Sequence, residues 1–361
     1  MKTAPLHGTP DWHRARAAGL GGSEIAAVLG LSPWESAFSL WHKKRAILAV
    51  PPGHDLPPLR SLGQEDSERM MWGRLIEPVV ADRYAQLHPQ WQMLPVPLRA
   101  HPKRPWQIGS PDRILIPACD CGLHRARSCL CPPGSPCPSC TRACCDPDDC
   151  GPCCEHCPTC PTLARRREVL EIKLSDRSED WGEEGTDQIP VYYRCQVLWY
   201  LDILGLQRAR IAVLMSGHTL RHYSVEADQE DLELMRRAGQ DFVQSLQDGT
   251  PPPLDGHSAT LNAVKELLPG ADPDAEQDVQ LDPDLARAYA DAVNGSARAE
   301  EEANLRRSQV LLCIGGGRRA KVGTDTIAYR QISASTGRTR ALMPGHHLQR
   351  HATSPTKECP A

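Results

Sequence analysis

Val169-Leu170-Glu171-Ile172-Lys173-Leu174 alternates apolar and polar side chains, the period-two pattern of a half-buried strand. Residues two apart on a strand share a face, so the Glu171 carboxylate and the Lys173 ammonium should point the same way. An earlier apolar run, Ile108-Gly109-Ser110-Pro111-Asp112-Arg113-Ile114-Leu115-Ile116, reads as a strand carrying one more carboxylate. If the two strands pair, Asp112 and Glu171 converge as hard oxygen ligands for magnesium or manganese, with a lysine beside them. Such a set suits hydrolysis of a phosphodiester. A lone Glu-x-Lys on a strand is more often a solvated edge, so the reading rests on what surrounds it.

Upstream, the block Trp12-x-x-x-Arg16-x-x-Gly19-Leu20-Gly21-Gly22-Ser23-Glu24-Ile25 sets an arginine ahead of a glycine turn and a serine. Ser23 is the expected N-cap of an apolar helix over 24–29, and Gly30 its stop. A helix N-terminus attracts anions, so Ser23 and Arg16 can hold a phosphate; a plain cap and a solvated arginine are the ordinary alternative. Residues 38–45 should form a helix with Leu40 and Trp41 in the core. Residues 71–84 also read as helical, with Pro78 in a first turn or at a kink. Leu75, Val79 and the 81–84 turn should face the sheet. Glu77 is then either a paired core carboxylate or an active-site acid. Beyond a polar, acidic loop over 175–188, the run 191–204 has helical period and ends on Gly205. Tyr193, Gln196 and Tyr200 fall near one face of it. Strands over 210–215 and 220–225 and an amphipathic helix over 232–246 follow.

Asp112, Glu171-x-Lys173 and Tyr193-x-x-Gln196 together resemble the D…E-x-K core of restriction-endonuclease-like nucleases. Most closely they resemble the YqaJ-type viral recombinases, relatives of the phage lambda exonuclease. The resemblance runs from Asp11 to Met215, a cysteine-rich insert excepted. It implies an α/β (α+β) fold: a restriction-endonuclease-like core whose mixed central sheet is flanked by helices. It implies that Asp112, Glu171, the Ile172 carbonyl and Glu77 hold Mg2+ or Mn2+. By the same resemblance Lys173 and Gln196 serve the attacking water, while Arg16, Ser23 and Tyr193 hold DNA phosphate. The implied substrate is a double-stranded DNA end resected from 5′ to 3′. The implied partners are a single-strand annealing protein and further copies of the chain in a ring. An endonuclease on the same scaffold, or a non-catalytic metal-stabilised module that binds DNA or protein, are the alternatives. The family has a small residue after its aspartate; Arg113 stands there in this chain.

Thirteen of the 16 cysteines lie between Cys119 and Cys160. Cys137-x-x-Cys140, Cys150-x-x-Cys153, Cys154-x-x-Cys157 and Cys157-x-x-Cys160 have zinc-knuckle spacing, and Cys119-x-Cys121 and Cys129-x-Cys131 are tighter pairs. Cys144, Cys145, His124 and His156 complete the candidate ligands. The insert has too few apolar residues for a core, so structural Zn2+ is expected to supply its folding free energy, with an iron–sulfur cluster or a merely flexible cysteine-rich loop as the alternatives. No export signal or membrane-length apolar run is evident, which favours metal over disulfides and a cytoplasmic location.

A net charge of −4 excludes a generally basic DNA coat but not a nuclease, whose metal site is itself acidic. The expected organisation is a nuclease domain over 1–118 and 161–249, an insert over 119–160 and an extension over 250–361. That extension reads as helix plus β-hairpin, with Gly315-Gly316-Gly317 as a hairpin turn between a helix and strands over 319–331 and 338–342.

Overall fold

The computed structural model describes residues 9–51, 54, 56, 68–117, 167–178, 180–268, 270, 278–333, 336–345 and 348–351. The cysteine-rich insert, with every zinc ligand expected between Cys119 and Cys160, lies outside the described residues. Two compact units divide at Gly270. The first begins with helices α1 (Pro10–Ala18), α2 (Ile25–Val28), α3 (Ala37–Leu48) and α4 (Glu68–Leu87). Strands β1 (Trp91–Pro95), β2 (Arg99–His101), β3 (Arg104–Gly109), β4 (Arg113–Pro117) and β5 (Glu168–Ser175) follow. Helix α5 (Val191–Leu204), β6 (Arg208–Met215), β7 (Thr219–Glu226), α6 (Gln229–Asp248) and α7 (Ser258–Leu267) complete this unit.

The central sheet has the order β1-β4-β5-β6-β7. β5 and β6 are parallel and the other neighbours antiparallel, so the sheet is mixed. Parallel neighbours need a crossover connection, and α5 provides it. On one face Leu170 and Ile172 of β5 pack with Val80, Ala81 and Tyr84 of α4. On the other, Val169 of β5 and Ile211 and Val213 of β6 join a larger core with α2, α5 and α6.

Four sequence expectations are corrected. β5 is buried on both faces from Glu168 to Ile172 rather than half-buried, because helices cover both sides of the sheet. The run 108–116 is two strands: Ser110-Pro111-Asp112 interrupts it, since a proline cannot donate to a central ladder. Pro78 sits well inside α4 rather than in a first turn. The helix is also rotated from the expected setting. Leu75 and Val79 are exposed, and Ile76, Val80, Ala81 and Tyr84 meet the sheet.

Long-range polar contacts set the elements around the sheet. Leu20 N–H donates to the Trp106 carbonyl at 2.7 Å, and Ile108 N–H to the Leu20 carbonyl at 3.0 Å. The Trp199 indole of α5 donates to the Leu20 and Ile108 carbonyls at 3.2 and 3.1 Å. The Asp202 carboxylate, almost fully buried, takes Arg104, Gln107 and Arg236, so α5 is pinned to β3 and α6 at once. Helix α7 packs on α3, where the Thr260 hydroxyl donates to Ser36 Oγ at 2.7 Å. The first unit therefore reaches past Thr250, where the sequence reading set its end.

The second unit holds α8 (Pro283–Ile314) and an antiparallel sheet of β8 (Arg319–Val322), β9 (Asp325–Ile332) and β10 (Thr339–Pro344), ordered β10-β9-β8. Gly315 caps α8 instead of turning a hairpin; the hairpin turn falls at Gly323, whose φ of 59° suits glycine. Among the described residues no helix is long and apolar enough to cross a membrane.

Candidate active site

Asp112 ends the break before β4, and the β4–β5 register sets Arg113 opposite Leu170. That register brings Asp112 beside Glu171: Ile172 N–H donates to Asp112 Oδ2 at 2.7 Å. Lys173 Nζ donates to Glu171 Oε1 at 2.6 Å, and Gln196 Nε2, one turn into α5, donates to the same oxygen at 2.6 Å. The Gln196 amide nitrogen also reaches the Tyr200 hydroxyl at 2.9 Å. The Glu171 side chain is 3% exposed, and its other oxygen, Oε2, is buried without a hydrogen-bond partner among the described residues.

Burial first, then the Glu171 charge, pushes the Asp112 carboxyl well above the usual carboxylate range, with Lys173 pulling the other way. Burial alone would push the Lys173 ammonium down, but Glu171 and Asp112 reverse that and keep it protonated. Two carboxylates share a low-dielectric site with one lysine, and one carboxylate oxygen is unmatched. That donor set fits a hard divalent cation, since magnesium takes one or two carboxylates and fills the remaining positions with water or phosphate oxygen.

Glu77 is held by Arg113, and its charge still acts on Asp112. Arg113 Nη1 donates to Glu77 Oε1 at 2.9 Å and to the Asp112 carbonyl at 2.6 Å. Arg113, standing where the resemblance predicts a small residue, is long enough to reach across to α4 and engage the acid expected at the metal. Among the described residues no group of three or more His, Cys, Asp or Glu side chains is arranged to hold a metal. Asp112 and Glu171 thus share one site, with Glu77 bonded to Arg113 and within electrostatic reach of Asp112.

The N-terminal block reaches the same place by a route the sequence reading missed. Glu24, not Ser23, is the N-cap of α2, and Ser23 Oγ instead accepts from Arg16 Nη2 at 3.3 Å. Glu24 Oε1 accepts from Arg16 Nη2 at 3.1 Å, while Glu24 Oε2 takes Lys44 Nζ at 2.9 Å and Gly21 N–H at 2.7 Å. The buried Lys44 ammonium also donates to the Arg16 and Gly19 carbonyls, both at 2.8 Å. Burial would push the Glu24 carboxyl up, but Lys44 and Arg16 pull it down to about 2. Glu24 stood beside Ser23 in the quoted block; nothing local marked Lys44, which comes from α3.

Tyr200 joins the two halves. Burial and then Glu171 raise its hydroxyl well above the usual range, so it stays protonated beside the acids. A Cβ on Gly22 would lie 2.4 Å from its ring. Gly22→Ala should therefore cost about 1–3 kcal/mol by overpacking and push Tyr200 off Gln196. A lowered urea midpoint together with weakened phosphate binding checks both effects; an unchanged midpoint rules out the contact. Tyr193 turns its ring toward Lys173, Nζ lying 5.0 Å from the centroid, and packs against Tyr192 and Trp181. Trp34, 61% exposed, stands edge-on to Tyr192 at the rim. Its place there was not read from sequence.

A family profile described as the YqaJ-like viral recombinase domain matches residues 11–207, over half of the 361-residue chain. The chain belongs to this family.

An uncharacterized protein, YqaJ of Bacillus subtilis (strain 168), is 22% identical over 261 residues, 71% of this chain and 62% of the relative. The chain thus spans less than two thirds of the length of that relative. The crystal structure of an alkaline exonuclease from Laribacter hongkongensis overlays with a TM-score of 0.40 at 14% identity, covering 67% of this chain and 94% of that one. Its complex with dAMP gives the same values. The matched YqaJ-like segment contains each of Arg16, Ser23, Glu77, Asp112, Glu171, Ile172, Lys173, Tyr193 and Gln196.

Proposed function

We propose that this YqaJ-like chain is a divalent-metal-dependent exonuclease that resects double-stranded DNA ends from 5′ to 3′. The observation that carries the reading is the meeting of Asp112, just before β4, with Glu171 and Lys173 of β5, where Glu171 Oε2 is buried without a hydrogen-bond partner among the described residues. Asp112, Glu171 and the Ile172 carbonyl would hold Mg2+ or Mn2+. When bound, the ion supplies Lewis acidity toward a phosphoryl oxygen. Glu77 is the candidate for a second ion through Oε2, since Arg113 engages Oε1.

Lys173 is placed to position the attacking water and to offset negative charge building on the phosphorane. Gln196 fixes the Glu171 carboxylate and, through it, the orientation of Lys173. Arg16, held in place by Glu24, would grip the scissile or adjacent phosphate together with Ser23 and Tyr193. In this reading the single-stranded product passes to an annealing protein, and the working form is a homo-oligomeric ring. The cysteine-rich insert would fold around Zn2+.

Linear duplex labelled at either its 5′ or its 3′ ends, digested with magnesium, should lose the 5′ label first as mononucleotide. Chelation of the metal should stop the reaction, and a covalently closed circle should survive. Nicking of the circle would replace the exonuclease by an endonuclease on the same scaffold. Intact DNA in magnesium and in manganese alike would remove the catalytic reading.

A further inference from the structure

A cluster of arginines lies in the C-terminal unit, far along the chain from the carboxylates. Arg318, Arg319 and Arg330 line one recess of about 720 Å³ together with Tyr329 and Thr326. The β8–β9 register sets Arg319 directly opposite Tyr329, so the two side chains share a face of the sheet. Arg330 N–H donates to the Arg318 carbonyl at 2.8 Å, which ties the β9 main chain to the residue before β8. Arg330 Nη2 is tied to the Gly315 carbonyl at the end of α8, whereas its Nε is buried without a hydrogen-bond partner among the described residues. None of the three guanidiniums pairs with a carboxylate among the described residues; the nearby Asp325 is engaged by His351.

The surrounding sequence adds charge of the same sign. Residues 315–345 contain Lys321, Arg338 and Arg340 besides these arginines and a single acid, Asp325, in a chain whose net charge is −4. Three arginines that pair with no carboxylate among the described residues repel one another, and a bound anion relieves that repulsion. The Tyr329 side chain, 39% exposed among them, offers a flat apolar face where a phosphate alone would need none. Guanidinium donors beside an aromatic face match a phosphate and its unpaired base, the combination by which single strands are held without regard to sequence. A recess of this size admits a nucleotide unit but not a duplex, whose bases are stacked and paired away from such a face.

We propose that this recess in the C-terminal unit binds single-stranded DNA, through Arg318, Arg319 and Arg330 at the phosphates and Tyr329 against a base. Binding here requires neither metal nor cleavage, so it stands apart from the nuclease reading.

The full-length protein is titrated, with metal chelated, into fluorescein-labelled oligo(dT), and its anisotropy followed across a salt series. Arg318→Gln with Arg319→Gln, which leaves the Arg330 contact to Gly315 intact, should weaken oligo(dT) binding at least about tenfold and flatten the salt dependence by roughly 1.4 in log–log slope. Tyr329→Ala should weaken it by about fivefold or more, and Tyr329→Phe should restore it. Blunt duplex of the same length should bind these variants as it binds the wild type. Unchanged oligo(dT) affinity and slope in the double variant would overturn the proposal, as would equal losses on duplex and single strand. Competition by dTMP at the same nucleotide concentration as oligo(dT) would also overturn it, by making the recess a mononucleotide site. Digestion of linear duplex by the same preparations should be retained in all variants, so a failure of nuclease activity in the wild type would leave this test standing.

Discussion

Lys173→Ala should lower cleavage of linear duplex by roughly a thousandfold or more, with duplex affinity changed by less than about threefold. The ammonium lies 2.6 Å from Glu171 Oε1, is largely buried, and is held charged by Glu171 and Asp112. A charge preorganised in a water-poor site contributes most where new negative charge develops, which is at the phosphorane and not in the bound ground state. The effect should therefore fall on kcat. Arginine at the same position has the charge but a longer, planar head, so Lys173→Arg should rescue little. Loss of the lysine also leaves two carboxylates with no cation, so the variant needs a check on folding. Far-ultraviolet circular dichroism and retained duplex binding separate a chemical defect from an unfolded chain. Cleavage at the wild-type rate by a folded Lys173→Ala protein would remove the mechanism.

Glu24→Ala should destabilise the first unit by about 3–5 kcal/mol, because it strands a buried lysine without its counter-ion. Lys44 is 3% exposed and has Glu24 as its carboxylate partner. The same change releases Arg16, so phosphate binding should weaken even where the variant is fully folded. The acid limb of stability tests this independently. The Glu24 carboxyl is held at about 2 against an ordinary 4.5, so its contribution is complete above 4.5 and lost as pH falls from there toward 2. That loss amounts to at most about 3 kcal/mol on the carboxyl side; the lowered Lys44 ammonium acts only where the lysine itself titrates, on the alkaline side. Denaturant midpoints between pH 5 and pH 2.5 should fall more steeply in the wild type than in Glu24→Gln. Parallel curves for the two proteins would show that the Glu24–Lys44 pair carries no such linkage.

Lys44 enters that prediction from α3 and Glu24 from the start of α2, and their pairing shows where sequence reading stops. The turn at Gly21-Gly22, the serine after it and the arginine before it were legible as one block, because turn chemistry is local. The cation that fixes the block was not, since a lysine in a helical run looks solvated until the helix is placed. Val169 to Leu174 was legible as a strand and Tyr193, Gln196 and Tyr200 as one helix face, because period two and period 3.6 are written in neighbouring residues. The rotation of α4 was not. Its apolar residues fit either of two settings, and only packing against Leu170 and Ile172 exposes Val79 and buries Val80.

By itself, the sequence determined the carboxylate strand, its lysine on the same face, the family and the residue types of the candidate site. Tertiary structure alone decided which acids meet. The β4–β5 register carries Asp112 to Glu171, while Arg113, one residue on, draws Glu77 to itself. Periodicity fixes the face a side chain occupies, but the partner it finds depends on register and helix rotation, which long-range packing sets.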